Sequence, residues 1–137
     1  MAGQNTFTVE VLTPEGEVFN GEVIQLSTRT VTGEIGVLAS HVPVLAALRP
    51  NLLRLKISDS ETKRWAQSHG MLQVFANHAQ VLLQEAIEPE NLDQAALEEE
   101  KADAEARLAD DSLGEAAREV AERDLERVEA FLSIAQS

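Results

Sequence analysis

Cysteine is absent from this 137-residue chain, which excludes disulfides, thiolate nucleophiles and cysteine-based zinc sites. Tyrosine is absent too, and four Phe and one Trp are the whole aromatic content, so a core must be built from Val, Leu, Ile and Ala. No apolar run approaches the roughly 20 residues that a membrane-spanning helix needs. The opening stretch Met1–Thr6 is short, polar and uncharged, unlike a signal or Arg-rich transit peptide, and a cytosolic protein is expected. Positive charge is scarce: 11 Lys and Arg face 24 Asp and Glu, a net charge of −13. Nucleic acid and anionic membrane surfaces repel such a chain, so neither a nucleic-acid partner nor membrane insertion is expected.

What is present is a hydrophobic fraction of 44%, enough for a packed domain, with 26% charged residues. The charge is uneven. Residues 1–89 carry nine acids and six bases, net −3, whereas residues 90–137 carry fifteen acids and five bases, net −10. The hydrophobic period changes at the same place. Two coincident shifts put a boundary near Glu88-Pro89-Glu90, with domains 1–89 and 90–137.

The first part reads as strands. Phe7–Thr13 alternates apolar and polar residues, and Pro14-Glu15-Gly16-Glu17 then makes a turn. Val23–Ser27 reads as a second strand. Leu52–Ile57 and Thr62–Gln67 flank a polar tip, Ser58-Asp59-Ser60-Glu61, and Met71–Phe75 and Val81–Glu85 flank Ala76–Gln80. Short strands with turn signals every eight to twelve residues point to an antiparallel β-sandwich or barrel.

The second part reads as two helices. Asn91-Leu92-Asp93-Gln94 fits a capping box, and helix formers run on to about Ala109. Asp110–Gly114 breaks the run. Ala121, Leu125, Val128, Leu132 and Ala135 then make one apolar seam. The short connection favours an antiparallel hairpin. Asp103 with Arg107, and Glu119 with Arg123, are acid-first pairs four residues apart. The seam is thin and Ala-rich, compatible either with marginal docking that permits movement or with a tight hairpin. The fold class is therefore α+β: an N-terminal antiparallel β-sandwich of about ten short strands, then a two-helix antiparallel hairpin.

Catalysis finds little support. His41, His69 and His78 form no metal-binding pair and have no nucleophile or acid at a recognisable spacing. No phosphate-binding glycine loop occurs. No catalytic residue, metal site or cofactor is expected. The distinctive segment is Thr32-Gly33-Glu34-Ile35-Gly36-Val37-Leu38-Ala39-Ser40-His41-Val42-Pro43-Val44-Leu45. Two glycines bracketing Glu34-Ile35 suggest a tight turn, and Pro43 pushes Val42 toward an extended conformation. On its residues alone this is a shaped loop between strands. Glu34 is then an exposed turn charge, and His41 a side chain capping a local amide.

The segment resembles the signature of the epsilon subunit of F-type ATP synthases, G-x-[IL]-G-[IV]-[LY]-x-x-H-x-P, through Gly33, Ile35, Gly36, Val37, Leu38, His41 and Pro43. The likeness covers the whole chain: an opening strand, Thr13-Pro14, Phe19, the signature, hairpins and two terminal helices. Two departures stand out. Asn51 follows Pro50 where family members often have glycine, which suggests a left-handed turn kept by asparagine. His69-Gly70 replaces a frequent Gly-Gly, leaving one flexible position.

The resemblance implies a sandwich of two five-stranded sheets and a movable, regulatory hairpin. It implies a non-catalytic rotor subunit of the central stalk of a proton-translocating ATP synthase, peripheral at the cytoplasmic face of the bacterial inner membrane. The implied partners are the gamma subunit, the membrane rotor ring and, through the C-terminal helices, the alpha/beta catalytic head. Gly33, Glu34, Ile35, Gly36, His41, Val42 and Pro43 would meet the ring, with Glu34 bonded to a ring arginine. Arg118, Arg123 and Arg127 would be the regulatory helix contacts. Some family members bind ATP through [IL]-D-x-x-R-A; here Leu92 and Asp93 match, but Ala96 replaces the arginine and Leu97 the alanine, so nucleotide binding is doubted. A stand-alone sandwich adaptor whose acidic hairpin binds a basic protein, and a small-ligand sensor, are the alternative readings.

Overall fold

The computed structural model describes residues 5–137; the reading of Met1–Gln4 within the opening segment lies outside the described residues. The chain divides into two compact units, the first ending at Glu88 and the second running from Pro89 to Ser137.

The first unit holds ten strands: β1 Phe7–Thr13, β2 Gly16–Val23, β3 Gln25–Thr30, β4 Gly33–Leu38, β5 Val44–Leu48, β6 Asn51–Lys56, β7 Thr62–Gln67, β8 Gly70–Phe75, β9 His78–Leu83 and β10 Ala86–Ile87. They form one hydrogen-bonded sheet, ordered β10-β7-β6-β3-β5-β8-β9-β1-β2, with β4 added to β3. The sheet folds on itself at β3. Gln25–Ser27 of β3 pair with β6, whereas Thr30 pairs with Leu48 of β5. Arg49-Pro50 separates β5 from β6, and proline with its fixed φ and missing N–H suits a bend in a single run of strand. The result is two layers of five strands, β4-β3-β6-β7-β10 and β5-β8-β9-β1-β2. Among the described residues β1 and β9 run parallel, a departure from the all-antiparallel expectation.

Alternation of side chains fills the space between the layers. Phe7, Val9 and Val11 of β1 point inward with Leu26, Val37, Leu53, Leu55, Leu72, Val74 and Val81, all buried. Phe19 from one layer meets Trp65 from the other at 5.8 Å and a 60° tilt, a favourable edge-to-face geometry. The expected strand Val23–Ser27 is corrected: the chain bends at Ile24, whose N–H donates to the Lys56 carbonyl, and two strands meet there. Strand β2 escapes the alternation rule because its register shifts against β1 between Val11 and Leu12. The expected tip Ala76–Gln80 shrinks to Ala76-Asn77, both at positive φ, the two-residue turn whose twist matches a hairpin.

Where the layers join, the polar groups are sealed. Gln67 is fully buried. Thr28 Oγ1 donates to Gln67 Oε1 at 2.6 Å, and Gln67 Nε2 donates to the Arg49 carbonyl at 2.8 Å and, more distantly, to that of Arg29 at 3.5 Å. Ser68 Oγ accepts from the Glu85 N–H at 2.9 Å and donates to the His69 carbonyl at 3.1 Å, fastening the start of β8 to the end of β9.

In the second unit a single 3-10 turn, Pro89–Asn91, precedes α1, Gln94–Leu108; α2 spans Glu115–Ala135. The N-cap is Asp93, not Asn91: Asp93 Oδ1 accepts from the Ala96 N–H at 3.1 Å, while Asn91 ends the 3-10 turn. The helices run antiparallel, since Lys101 meets Glu129, Arg107 meets Asp124 and the Leu108 carbonyl meets Arg118. Leu97 and Ala104 pack against Ala121, Val128, Phe131 and Leu132; Phe131 joins the expected seam, and Leu125 and Ala135 are only half-buried. Asp103 and Arg107 pair as expected at 3.1 Å. In the connection, Ser112 donates to Asp110 through its hydroxyl and its N–H, holding that carboxyl below the usual range.

Gly70 is where packing is tightest. A Cβ there would lie 2.0 Å from the Leu82 carbonyl oxygen, so the residue expected to supply flexibility instead supplies close approach. At Gly36 the nearest atom would be 3.4 Å away, the end of the Gln25 side chain. Gly70→Ala is therefore expected to lower unfolding free energy by at least ~3 kcal/mol, and Gly36→Ala to change it by less than ~1 kcal/mol. Urea unfolding of both variants checks this; equal effects would contradict the packing argument.

Candidate functional site

The signature segment is a strand rather than a turn. Gly33 to Leu38 pair in register with Thr30 to Gln25, so Glu34 faces Arg29 and Gly36 faces Ser27. The turn is Val31-Thr32, closed by Thr30 Oγ1 accepting from the Thr32 N–H at 3.2 Å. Gly33 takes φ +126°, a conformation that L side chains rarely adopt, and lets the chain enter β4. Strand β4 is an edge of its layer.

This placement separates the seven residues expected to act together. Gly33 and Glu34 lie at one end of β4, whereas His41, Val42 and Pro43 follow its other end; at about 3.3 Å per residue Glu34 and Leu38 alone are ~13 Å apart. Ile35 packs against the core instead of facing outward. Glu34 is exposed and accepts a hydrogen bond from Asn51 Nδ2 at 3.3 Å. Asn51 itself begins β6 with negative φ and accepts from the Leu52 N–H at 2.8 Å, so the left-handed turn expected there does not occur.

At the other end, asparagine does the fastening. Asn77 Oδ1 accepts from the Ser40 N–H at 2.7 Å, its Nδ2 donates to the Thr6 carbonyl at 3.1 Å, and its own carbonyl accepts from the Thr8 N–H. Three segments distant in sequence are thus tied at one point. His41 Nδ1 donates to the Val42 carbonyl at 2.7 Å, and its N–H to the Leu38 carbonyl at 3.2 Å, so the imidazole shapes its own loop rather than capping an amide.

Beyond that loop lies a surface that the sequence reading missed. On the outside of the second layer, Ala47, Met71, Leu82 and Leu12 stand in one row across β5, β8, β9 and β1. Leu45, 73% exposed, stands beside that row on β5, and Val42 at 69% and Phe75 at 61% are exposed farther along the same layer, beyond Gln73. Clustered exposed apolar side chains of this kind mark contact surfaces. Beside them His78 Nε2 lies 2.8 Å from Glu10 Oε1, an acidic partner that sequence spacing could not reveal.

The three helix arginines divide. Arg118 donates to the carbonyls of Leu108 and Asp110, each at 3.1 Å, capping α1. Arg127 pairs with Glu100 at 2.7 Å and lies over the Phe131 ring at 5.4 Å. Arg123 is exposed. A groove of about 400 Å³ between the helices is lined by Glu100, Asp103, Arg107, Asp124, Arg127 and Val128, and both of its arginines already face carboxylates. Among the described residues no group of three or more His, Asp or Glu could hold a metal ion.

A family model described as the beta-sandwich domain of the ATP synthase delta/epsilon chain matches residues 6–89. The ATP synthase epsilon chain of a Sulfurihydrogenibium species is 33% identical over 134 residues, covering 96% of this chain and 98% of the relative. That of Persephonella marina is 38% identical over 133 residues, covering 94% and 96%. The fold is shared with a chain of the Euglena gracilis mitochondrial ATP synthase at a TM-score of 0.79 and 23% identity, covering 97% of this chain and 86% of that one.

The two contact ends predict separable effects. Glu34→Lys and His41→Ala should each change stability by less than ~1 kcal/mol, as surface positions do, whereas Asn77→Gly, which keeps the backbone but removes two hydrogen bonds, should cost ~1–3 kcal/mol. Thermal unfolding of the three variants decides it; a large loss at Glu34 or His41 would make those residues structural.

With its sandwich, its hairpin and these relatives, the chain belongs to the ATP synthase epsilon-chain family, whose members are non-catalytic subunits.

Proposed function

We propose that the chain is a rotor subunit of the central stalk, linking the gamma subunit to the membrane rotor ring of a proton-translocating ATP synthase. The observation that carries this reading is the presence of two contact surfaces of different chemistry on one sandwich. The apolar row Ala47-Met71-Leu82-Leu12, with exposed Leu45 beside it and Phe75 farther along the same layer, suits a permanent protein partner, and we assign it to gamma. The polar end with Gly33, Glu34 and Gly36 suits the polar loops of the ring. His41 and Pro43 lie beside the apolar face, so of the seven residues only the β4 group faces the ring in this reading. The accompanying location is peripheral, at the cytoplasmic face of the bacterial inner membrane.

The hairpin is the regulatory element in this proposal, restraining ATP hydrolysis at the catalytic head. Arg118 and Arg127 serve contacts inside the hairpin, which leaves Arg123 as the cation available to a partner. Fifteen acids against five bases in residues 90–137 make the long-range field of these helices negative. The nucleotide-sensor alternative is disfavoured by geometry: Asp93 serves as a helix cap, Leu97 is buried, and the arginines of the groove are paired.

Co-purification tests the linking role. The tagged chain is expected to recover gamma and ring subunits; Leu45→Asp with Met71→Asp should lose gamma by at least ~10-fold, roughly 1.4 kcal/mol. Glu34→Lys should retain gamma yet weaken proton-driven ATP synthesis. Recovery of neither partner would sink the reading in favour of a stand-alone adaptor. Calorimetry with Mg-ATP should show a dissociation constant above ~1 mM, and a tight saturable isotherm would restore the sensor.

A further inference from the structure

The charge of the sandwich is segregated by layer. Residues 1–89 hold six Lys and Arg: Arg29, Arg54, Lys56, Lys63 and Arg64 on β3, β6 and β7, and Arg49 at the bend. Strands β5, β8, β9, β1 and β2 carry no Lys or Arg and hold Glu10, Glu17 and Glu22.

Within the basic layer Arg54 and Arg64 stand directly opposite each other on antiparallel strands, and Ser27 of β3 pairs with Arg54 on its other side. Arg29 lies two residues along β3 from Ser27 and so shares that outer face. All three arginines are exposed. Among the described residues none of them forms an ion pair: Glu34, opposite Arg29, is bonded to Asn51, and Asp59 lies near Lys56 at 3.9 Å. Side chains directly opposite on adjacent strands have Cβ atoms about 5 Å apart, and like charges there oppose pairing. A local rule broken without internal compensation marks a position kept for something outside the fold.

We propose that the outer face of this layer, through Arg29, Arg54 and Arg64, is a docking surface for a short acidic segment of a partner protein. Guanidinium groups are planar forks that grip carboxylates bidentately; Arg54 and Arg64 sit on neighbouring strands ~4.8 Å apart, and Arg29 lies diagonally across from Arg54, about 7–8 Å away, within reach of two or three carboxylates of one segment. The net charge of −13 decides against extended polyanions. A membrane surface or a nucleic acid meets the repulsion of the whole chain, whereas a segment with two or three carboxylates feels the local field within about 8 Å. The proposal is independent of the stalk reading.

The test uses the full chain and a fluorescein-labelled octapeptide of alternating Glu and Ala, followed by anisotropy at low and high salt. Binding that weakens with salt, and weakens at least ~10-fold further in the double variant Arg54→Gln/Arg64→Gln, is the expected result. Either single substitution should also raise Tm, by roughly 1–4 °C, because it relieves the repulsion. An unchanged affinity in the double variant, a lowered Tm in the single ones, or equal binding of the Gln-for-Glu peptide would overturn the proposal. Tighter binding of phosphatidylserine vesicles or single-stranded DNA than of the peptide would overturn it as well.

Discussion

One buried amide holds the place where the two layers become a single sheet. As β3 leaves β6 for β5, the Arg29 carbonyl accepts from the Arg49 N–H at 3.1 Å, and the Arg49 carbonyl accepts from a side chain instead of a strand neighbour. That side chain is Gln67: its Nε2 binds the Arg49 carbonyl at 2.8 Å, and its Oε1 takes the Thr28 hydroxyl at 2.6 Å. No buried side-chain nitrogen or oxygen among the described residues lacks a partner. An unsatisfied buried polar group costs about 1–3 kcal/mol, a large share of the stability of a domain this size. The fold at this corner depends on a polar residue, although most of the core is apolar.

The two proposed contact ends hang on such seals. Gln67 fixes the backbone of Arg29 and Arg49, and one strand away Glu34 faces Arg29 and bonds Asn51. At the other end Asn77 fixes Ser40, Thr6 and Thr8, and the exposed loop through His41 and Val42 hangs from it. Between the two ends runs an alternating aliphatic core that fixes which side chains face outward. A surface built this way presents apolar and polar contacts on one sandwich, which suits the linking role proposed above.

Much of this was legible in the residues. Alternation located β1, β6 and β8, because one face of each strand is more buried than the other, and the polar tip Ser58–Glu61 located β7, whose last three residues are all buried. Helix formers and the charge step located the hairpin. Other features left no local trace. Strand β2 hides behind a bulge, and β4 looks like a turn because glycine signals looseness in sequence whatever it does in space. Asp93 rather than Asn91 caps α1, since either residue type can accept the orphan N–H groups and only the entry angle decides. The apolar row on the second layer, the His78–Glu10 contact and the Arg54–Arg64 opposition all join residues through register. Register is a property of the sheet and not of any one strand. The epsilon-type resemblance was readable because its motif sits where backbone geometry restricts the choice of residue, as at Gly33.

The central claim is that Gln67 holds the corner that carries the polar contact end. Native-state hydrogen exchange on Gln67→Met, which keeps the volume and removes the hydrogen bonds, tests it most directly. The account predicts that amides of Thr28–Glu34 and Leu48–Leu53 lose at least ~10-fold in protection while those of β1 and β9 keep theirs. Uniform loss across the sandwich, or no loss at the corner, would contradict it.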